Sequence, residues 1–269
     1  MAKLTEKNYY DLTVDNEYMS CHQLANWHEC AAREAARLRG EYKPPFRKYF
    51  LVGSYVDCAL TTPNKFDSFV EKNRSNIFGR GDKKYADFVV ADKIIARLRN
   101  EELANNLIGS GDNQTVLVGE IGGVPFKGLA DIVNHDVGII ADLKTAKTFD
   151  DGWLAITDDC GNVRNQKVAW YEVWNYWRQL AVYQELNRQM TGDIYDAYII
   201  AATKEDVPDM QCILFDNMAR LQREVDAVTE LVIEAQMWKT GEIEPPACGK
   251  CDYCKPRKKL TVEVATSIY

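Results

Sequence analysis

The stretch GLADIVNHDVGIIADLKTAKT, residues 128–148, decides how this chain can fold. Two apolar runs flank Asn134 to Gly138, a turn-rich spacer that suits a β-hairpin loop. Counting outward from that turn sets Val133 opposite Ile140 and Asp131 opposite Asp142. Like charges directly opposite on paired strands repel, so this pairing needs something to offset it. On a strand Asp142 and Lys144 share one face, while Ala141 and Leu143 share the other. Two carboxylates and one ammonium therefore reach a single point, where a hard divalent cation such as Mg²⁺ or Mn²⁺ would relieve the repulsion. A cation there can polarise a phosphoryl oxygen and acidify a water, with Lys144 positioning or deprotonating the nucleophile and stabilising developing charge. The alternative is a plain ion pair of Asp131 with Lys144 or Lys127.

The rest of the chain sets limits on that site. Its 269 residues, 46% hydrophobic and 27% charged, have an ordinary globular composition and no segment that approaches a membrane span. The N-terminal MAKLTEKNYYDL carries no apolar run to act as a secretion signal, so a reducing, cytosolic setting is expected. In that setting the eight cysteines are buried small residues or metal ligands rather than four disulfides. A net charge of −7 argues against coating nucleic acid by bulk electrostatics. Basic residues do cluster locally, at Arg33, Arg37, Arg39, Lys43, Arg47 and Lys48 and again at Lys72, Arg74, Arg80, Lys83 and Lys84; a solvated mixed-charge surface accounts for most of them.

Periodicity predicts one amphipathic helix from Ser20 to Gly40, a second over FRKYFLVGSYVDCAL and a third over YADFVVADKIIARLRN. Three strands follow as an antiparallel meander: QTVLVGEI, a Gly122-Gly123 turn, VPFKGLADIV, then GIIADLKTA. A long helix is expected over residues 167–190, strands over DAYIIAAT and MQCILF, and a last helix capped by Asp216 that runs to Gly241. This order suits one α/β domain with a mixed central sheet. Its parts would be a helical N-terminal region (about 1–110), a catalytic core (about 111–240) and a Cys-rich tail (245–260). The aromatic run WYEVWNYWRQLAVY reads first as core, with stacking on unpaired bases as the lesser alternative. His22, His28 and His135 show no ligand spacing.

Asp131, ten intervening residues and then Asp142-Leu143-Lys144 resembles the PD-(D/E)XK nuclease superfamily, particularly the RecB- and RecE-like exonucleases of phages and bacteria. GSYVDCAL at 53–60 is similar to the G-x-x-x-H helix of that family, QLAVY at 179–183 to its Q-x-x-x-Y motif, and YMSCHQLANWHECAARE to its opening segment. The resemblance implies a single domain of restriction-endonuclease-like fold, with a mixed central β-sheet flanked by helices. It implies Asp131, Asp142 and Lys144 as the catalytic set, with Gln179 and Tyr183 four apart on one helix face, holding the active-site lysine and the DNA backbone. Mg²⁺ or Mn²⁺ would be held by Asp131, Asp142, the backbone carbonyl of Leu143 and Asp57, which stands where many relatives carry histidine. Lys127 is either a phosphate contact or a strand-end charge.

The tail PPACGKCDYCKPRKKL places Cys248, Cys251 and Cys254 in a C-x-x-C-x-x-C run after two prolines. Overlapping two-residue spacers suit an iron–sulfur cluster better than a zinc finger, whose cysteine pairs are separated by a long loop. By resemblance to AddB-type nucleases, Cys30 would be the fourth ligand of a [4Fe-4S] cluster that clasps the ends of the domain; the last spacer is shorter than in those proteins, which leaves zinc or plain thiols open. The expected function is a cytosolic, metal-dependent deoxyribonuclease that hydrolyses DNA from an end in phage or prophage recombination, with a single-strand annealing protein as partner. The alternatives are a non-catalytic DNA-end-binding protein of the same fold, or an endonuclease.

Overall fold

The computed structural model describes residues 4–157 and 162–259; Cys160 and residue 260 of the expected tail lie outside the described residues. The chain opens with helices α1 (Leu12–Glu17), α2 (Cys21–Glu29) and α3 (Ala31–Leu38). Ser20 caps α2 as expected, its Oγ accepting from Gln23 N at 3.2 Å. The single helix predicted from Ser20 to Gly40 is instead broken at Cys30, whose backbone is extended (φ −165°, ψ 98°). The break has a tertiary cause: Ala32 N–H, which a continuous helix would use internally, donates to Pro246 O of the tail at 3.1 Å.

Helices α4 (Lys48–Thr61), α5 (Pro63–Lys72), α6 (Arg74–Ile77), α7 (Ala86–Arg99) and α8 (Glu102–Gly109) complete the helical N-terminal region. Pro63 takes the first position of α5, where its missing N–H costs nothing. The predicted basic clusters lie largely in local ion pairs, among them Arg33 with Glu29, Arg39 with Glu41, Lys48 with Asp87, Arg74 with Asp82 and Lys84 with Asp92.

The meander is β1 (Asp112–Ile121), β2 (Val124–Asn134) and β3 (Ile139–Ala146). A hairpin of β4 (Gly152–Thr157) and β5 (Val163–Val168) follows and forms a separate small sheet. Helices α9 (Trp170–Val173) and α10 (Tyr176–Thr191) cross over to β6 (Asp196–Thr203), β7 (Met210–Leu214) and α11 (Met218–Thr240). Among the described residues the central sheet has five strands in the order β1-β2-β3-β6-β7; only β3 and β6 run parallel, because only their connection crosses over.

Two further expectations are corrected. The long helix predicted over 167–190 is divided: Lys167 and Val168 end β5, and Asn175, at φ 55°, separates α9 from α10. The VRNQKV strand is exposed and polar, so no apolar alternation announces it. The cap of α11 is Asn217, whose side chain accepts from Arg220 N at 3.0 Å, and not Asp216.

One apolar cluster fills the sheet face under α2, α3, α10 and α11, with Trp27, Phe126, Ile140, Leu186 and Val232 at its centre. A second fills the opposite face under α4, α7 and α8, around Tyr55, Phe88, Ile94, Ile132 and Ala141. The central sheet is thus covered on both sides, in the manner of α/β folds. Lys127 belongs to this scaffold and is no phosphate contact: it is 2% exposed, its ammonium donating to Tyr9 O and pairing with Asp15 at 2.7 Å. Asp15 also pairs with Arg37, which binds Glu34, so the buried cation is compensated and ties the N-terminal segment to β2.

Candidate active site

The β2–β3 ladder runs from Asn134↔Ile139 to Ile132↔Ala141 and stops there. Asp131 and Asp142 sit one position beyond the last rung, facing each other as the outward count predicts. Where the strands part, Asp131 Oδ2 accepts from the backbone N–H of Leu143 at 2.7 Å. Asp142 is 2% exposed. Its Oδ2 has no well-aligned hydrogen bond; it meets the ammonium of Lys144 as an ion pair. Lys144 Nζ also lies 5.1 Å from the centre of the Tyr176 ring.

Asp57 enters from α4, its carboxylate 3.2 Å from Thr61 Oγ1. Between Asp57 and Asp131 stands the side chain of Gln114. Its Nε2 donates to Asp131 Oδ1 at 3.0 Å and to Asp57 Oδ1 and Oδ2 at 3.1 and 3.2 Å. Gln114 lies opposite Asp131 on β1, but the ladder skips that pair because Gln114 has φ 55°. A left-handed conformation at a non-glycine residue costs on the order of 1 kcal/mol, and the surrounding structure holds it.

The charges confirm how closely these groups crowd. Burial pushes the Asp57 carboxyl up to about 6, with the charge of Asp142 adding to the rise and the Thr61 hydroxyl opposing it. Burial, then the charges of Asp142 and Asp57, hold Asp131 well above the usual carboxylate range. Burial disfavours the Lys144 ammonium, yet Asp142 and then Asp131 outweigh it and raise its pKa. Three carboxylates are therefore gathered around one lysine, with an amide where charge compensation is needed.

Gln179 and Tyr183, on one face of α10, reach this cluster from the other side. Gln179 Nε2 donates to Asp142 Oδ1 and to Tyr183 Oη, both at 2.9 Å, and Tyr183 Oη donates to Leu129 O at 2.9 Å. Their target is Asp142; the resemblance had implied the lysine. The Tyr183 ring needs Gly128 beneath it, since a Cβ there would stand 2.9 Å from the ring.

This arrangement agrees with what the chain is similar to. Residues 20–257 match the family described as a PDDEXK-like domain of unknown function (DUF3799). The chain belongs to this PDDEXK-like family. It is also similar to the crystal structure of a Eubacterium rectale protein named "Putative exonuclease", at 30% identity and TM-score 0.84, covering 97% of this chain and 96% of that one. The crystal structure of SSO0001 matches at 15% identity and TM-score 0.31, over 87% of this chain and 91% of that one. No curated protein matches. The PDDEXK-like core is the restriction-endonuclease-like mixed sheet described above, which places the chain in the PD-(D/E)XK nuclease superfamily. No helix among the described residues is long and apolar enough to cross a membrane.

Within this PDDEXK-like domain the sequence pointed to Asp57, Asp131, Asp142, Lys144, Gln179 and Tyr183, and the fold brings all six to one place. It missed Gln114 and Tyr10. Counting outward from the Gly122-Gly123 turn, where Ile121 pairs with Val124, sets Gln114 opposite Asp131, so the same arithmetic that found Asp142 could have found it. Tyr10 carried no signal. Its ring is 77% exposed, yet the mass of protein around its hydroxyl, then the charges of Asp131, Asp57 and Asp142, push its pKa up to about 12. The aromatic run is chiefly core: Trp170 is buried, Tyr171, Tyr176 and Trp177 pack against the cluster beneath α10, and Trp174 is exposed.

The tail cysteines form a second site. Cys248, Cys251 and Cys254 converge with Cys30, all four sulfur atoms lying within 4.8 Å of one another. The extended backbone at Cys30 that breaks the α2–α3 run is what presents its thiol to the tail. This donor set fits a thiophilic metal and shares no residue with the carboxylate site.

Proposed function

We propose that this nuclease is a divalent-metal-dependent deoxyribonuclease that hydrolyses phosphodiester bonds from DNA ends. The observation that carries the reading is the convergence of Asp57, Asp131 and Asp142, from α4, β2 and β3, with an amide nitrogen of Gln114 bridging two of them. The donors are all hard oxygens, which suits Mg²⁺ or Mn²⁺ held by the three carboxylates and the Leu143 carbonyl. When bound, such an ion polarises the phosphate and lowers the pKa of the attacking water. Asp57, an oxygen donor, serves at the helix position where many relatives use histidine.

Lys144 acts as a fixed ammonium. Paired with Asp142, it orients the water and stabilises charge developing on the phosphoryl oxygens. Gln179 and Tyr183 hold Asp142 in place, and Tyr10 offers an exposed face to a terminal base. The likeness to a protein named as an exonuclease supports cutting from ends.

The experiment is cleavage of end-labelled linear and closed circular DNA by purified protein with Mg²⁺, Mn²⁺ or EDTA. Metal-dependent loss of linear DNA with circles spared is the expected result. Nicking of closed circles would make the enzyme an endonuclease. Binding of ends with no cleavage under any metal would return the chain to the non-catalytic alternative.

A further inference from the structure

The four thiols are packed too closely for the cluster that the family resemblance implies. Cys30 Sγ lies 3.5 Å from Cys254 Sγ and 3.7 Å from Cys251 Sγ, and Cys248 Sγ lies 4.0 Å from Cys254 Sγ. Four thiolates around one Zn²⁺ at about 2.3 Å make a tetrahedron with edges of about 3.8 Å. In a [4Fe-4S] cluster each cysteine binds a different iron at a separate corner, which spreads the sulfur atoms roughly 6 Å apart. A disulfide would need about 2.05 Å, well short of any of these separations. We infer that Cys30, Cys248, Cys251 and Cys254 form a closed tetrahedral site for a single Zn²⁺ ion, in place of an iron–sulfur cluster.

The local backbone suits a compact anionic centre. Gly249, at φ 70°, makes the tight turn between Cys248 and Cys251. The backbone N–H groups of Lys250 and Cys251 lie close to Cys248 Sγ, and those of Cys248 and Arg33 close to Cys30 Sγ. Four thiolates on one Zn²⁺ carry a net double negative charge, and N–H donors together with the nearby Arg33 side chain stabilise it. Around a mononuclear ion all four positions are filled by protein, the arrangement of a structural site with no opening for substrate.

The ion would join the α2–α3 break to the segment after α11, positions 224 residues apart in the case of Cys30 and Cys254. Because α11 packs on α2 and α3, that clasp locks the corner of the fold where these three helices meet.

The test is metal analysis of the full-length protein, purified anaerobically from cells supplied with both iron and zinc. One zinc per chain, with colourless protein that takes up no iron and sulfide on attempted reconstitution, is the expected result. Brown protein with about four irons and matching labile sulfide, or metal-free protein, overturns the proposal. A second measurement needs no variant. Alkylation counted by mass spectrometry should find Cys30, Cys248, Cys251 and Cys254 protected together and released together by a chelator. Cobalt exchanged into the site should give the strong visible absorption of a tetrahedral thiolate ion; its absence, or alkylation of any of the four before chelation, also overturns the proposal.

Discussion

One amide nitrogen, Gln114 Nε2, lies within 3.2 Å of carboxylate oxygens on both Asp57 and Asp131. Two carboxylates from different elements share one neutral donor, and the donor is held by a strained backbone. An amide supplies only partial charge, so the pair is compensated by less than a cation would give.

From this follows the first prediction. Gln114→Ala removes the bridging donor and should destabilise the metal-free protein by about 1.5–3 kcal/mol, the range for hydrogen bonds to charged groups. Mg²⁺ should then raise the melting temperature more in the variant than in the wild type, since no amide has to be displaced. Equal shifts on adding Mg²⁺ would mean that the amide does not stand in the cation's place.

Catalysis should fail when either half of the ion pair is altered. Asp142→Asn and Lys144→Ala are each expected to lower cleavage by at least about a hundredfold while circular dichroism stays that of the folded protein. Near-normal turnover in either variant removes that residue from the reaction.

Positioning through α10 gives a graded effect. Tyr183→Phe loses the bonds to Leu129 O and Gln179, at a cost of about 1–2 kcal/mol, and should reduce kcat more than it raises KM because Asp142 is left less firmly held. Gly128→Ala drives a Cβ into the Tyr183 ring and should show the same kinetic signature. Gly53→Ala is the control: its Cβ would meet only Thr145 Oγ1 at an ordinary 3.6 Å.

A pH effect follows from Lys239, whose ammonium donates to Tyr18 O and Gln23 Oε1. Burial lowers its pKa to about 8, below the usual lysine value. Between that value and the value in the unfolded chain, the unfolded state binds more protons, so this group makes stability rise with pH. From pH 8 to 9.5 the wild type should therefore gain stability relative to Lys239→Met in denaturant titrations. Parallel curves for the two proteins over that window would refute the assignment.

The sequence by itself determined the pairings that follow from local periodicity. Asp131 and Asp142 face each other because strand side chains alternate and a hairpin turn sets the register. Gln179 and Tyr183 share a face because helical positions four apart do. Only the tertiary structure decided what those faces meet. Gln179 binds Asp142, Lys127 is buried against Asp15, and the helix predicted from Ser20 breaks at Cys30 because the tail supplies Pro246 O and three thiols. The exposed, polar β5 has no apolar period to read, and the left-handed backbone of Gln114 has no residue-type signature. The contacts of Gln179, Lys127, Cys30 and Gln114 are each fixed by a partner distant in the chain, so the energy that selects them exists only once the fold has closed.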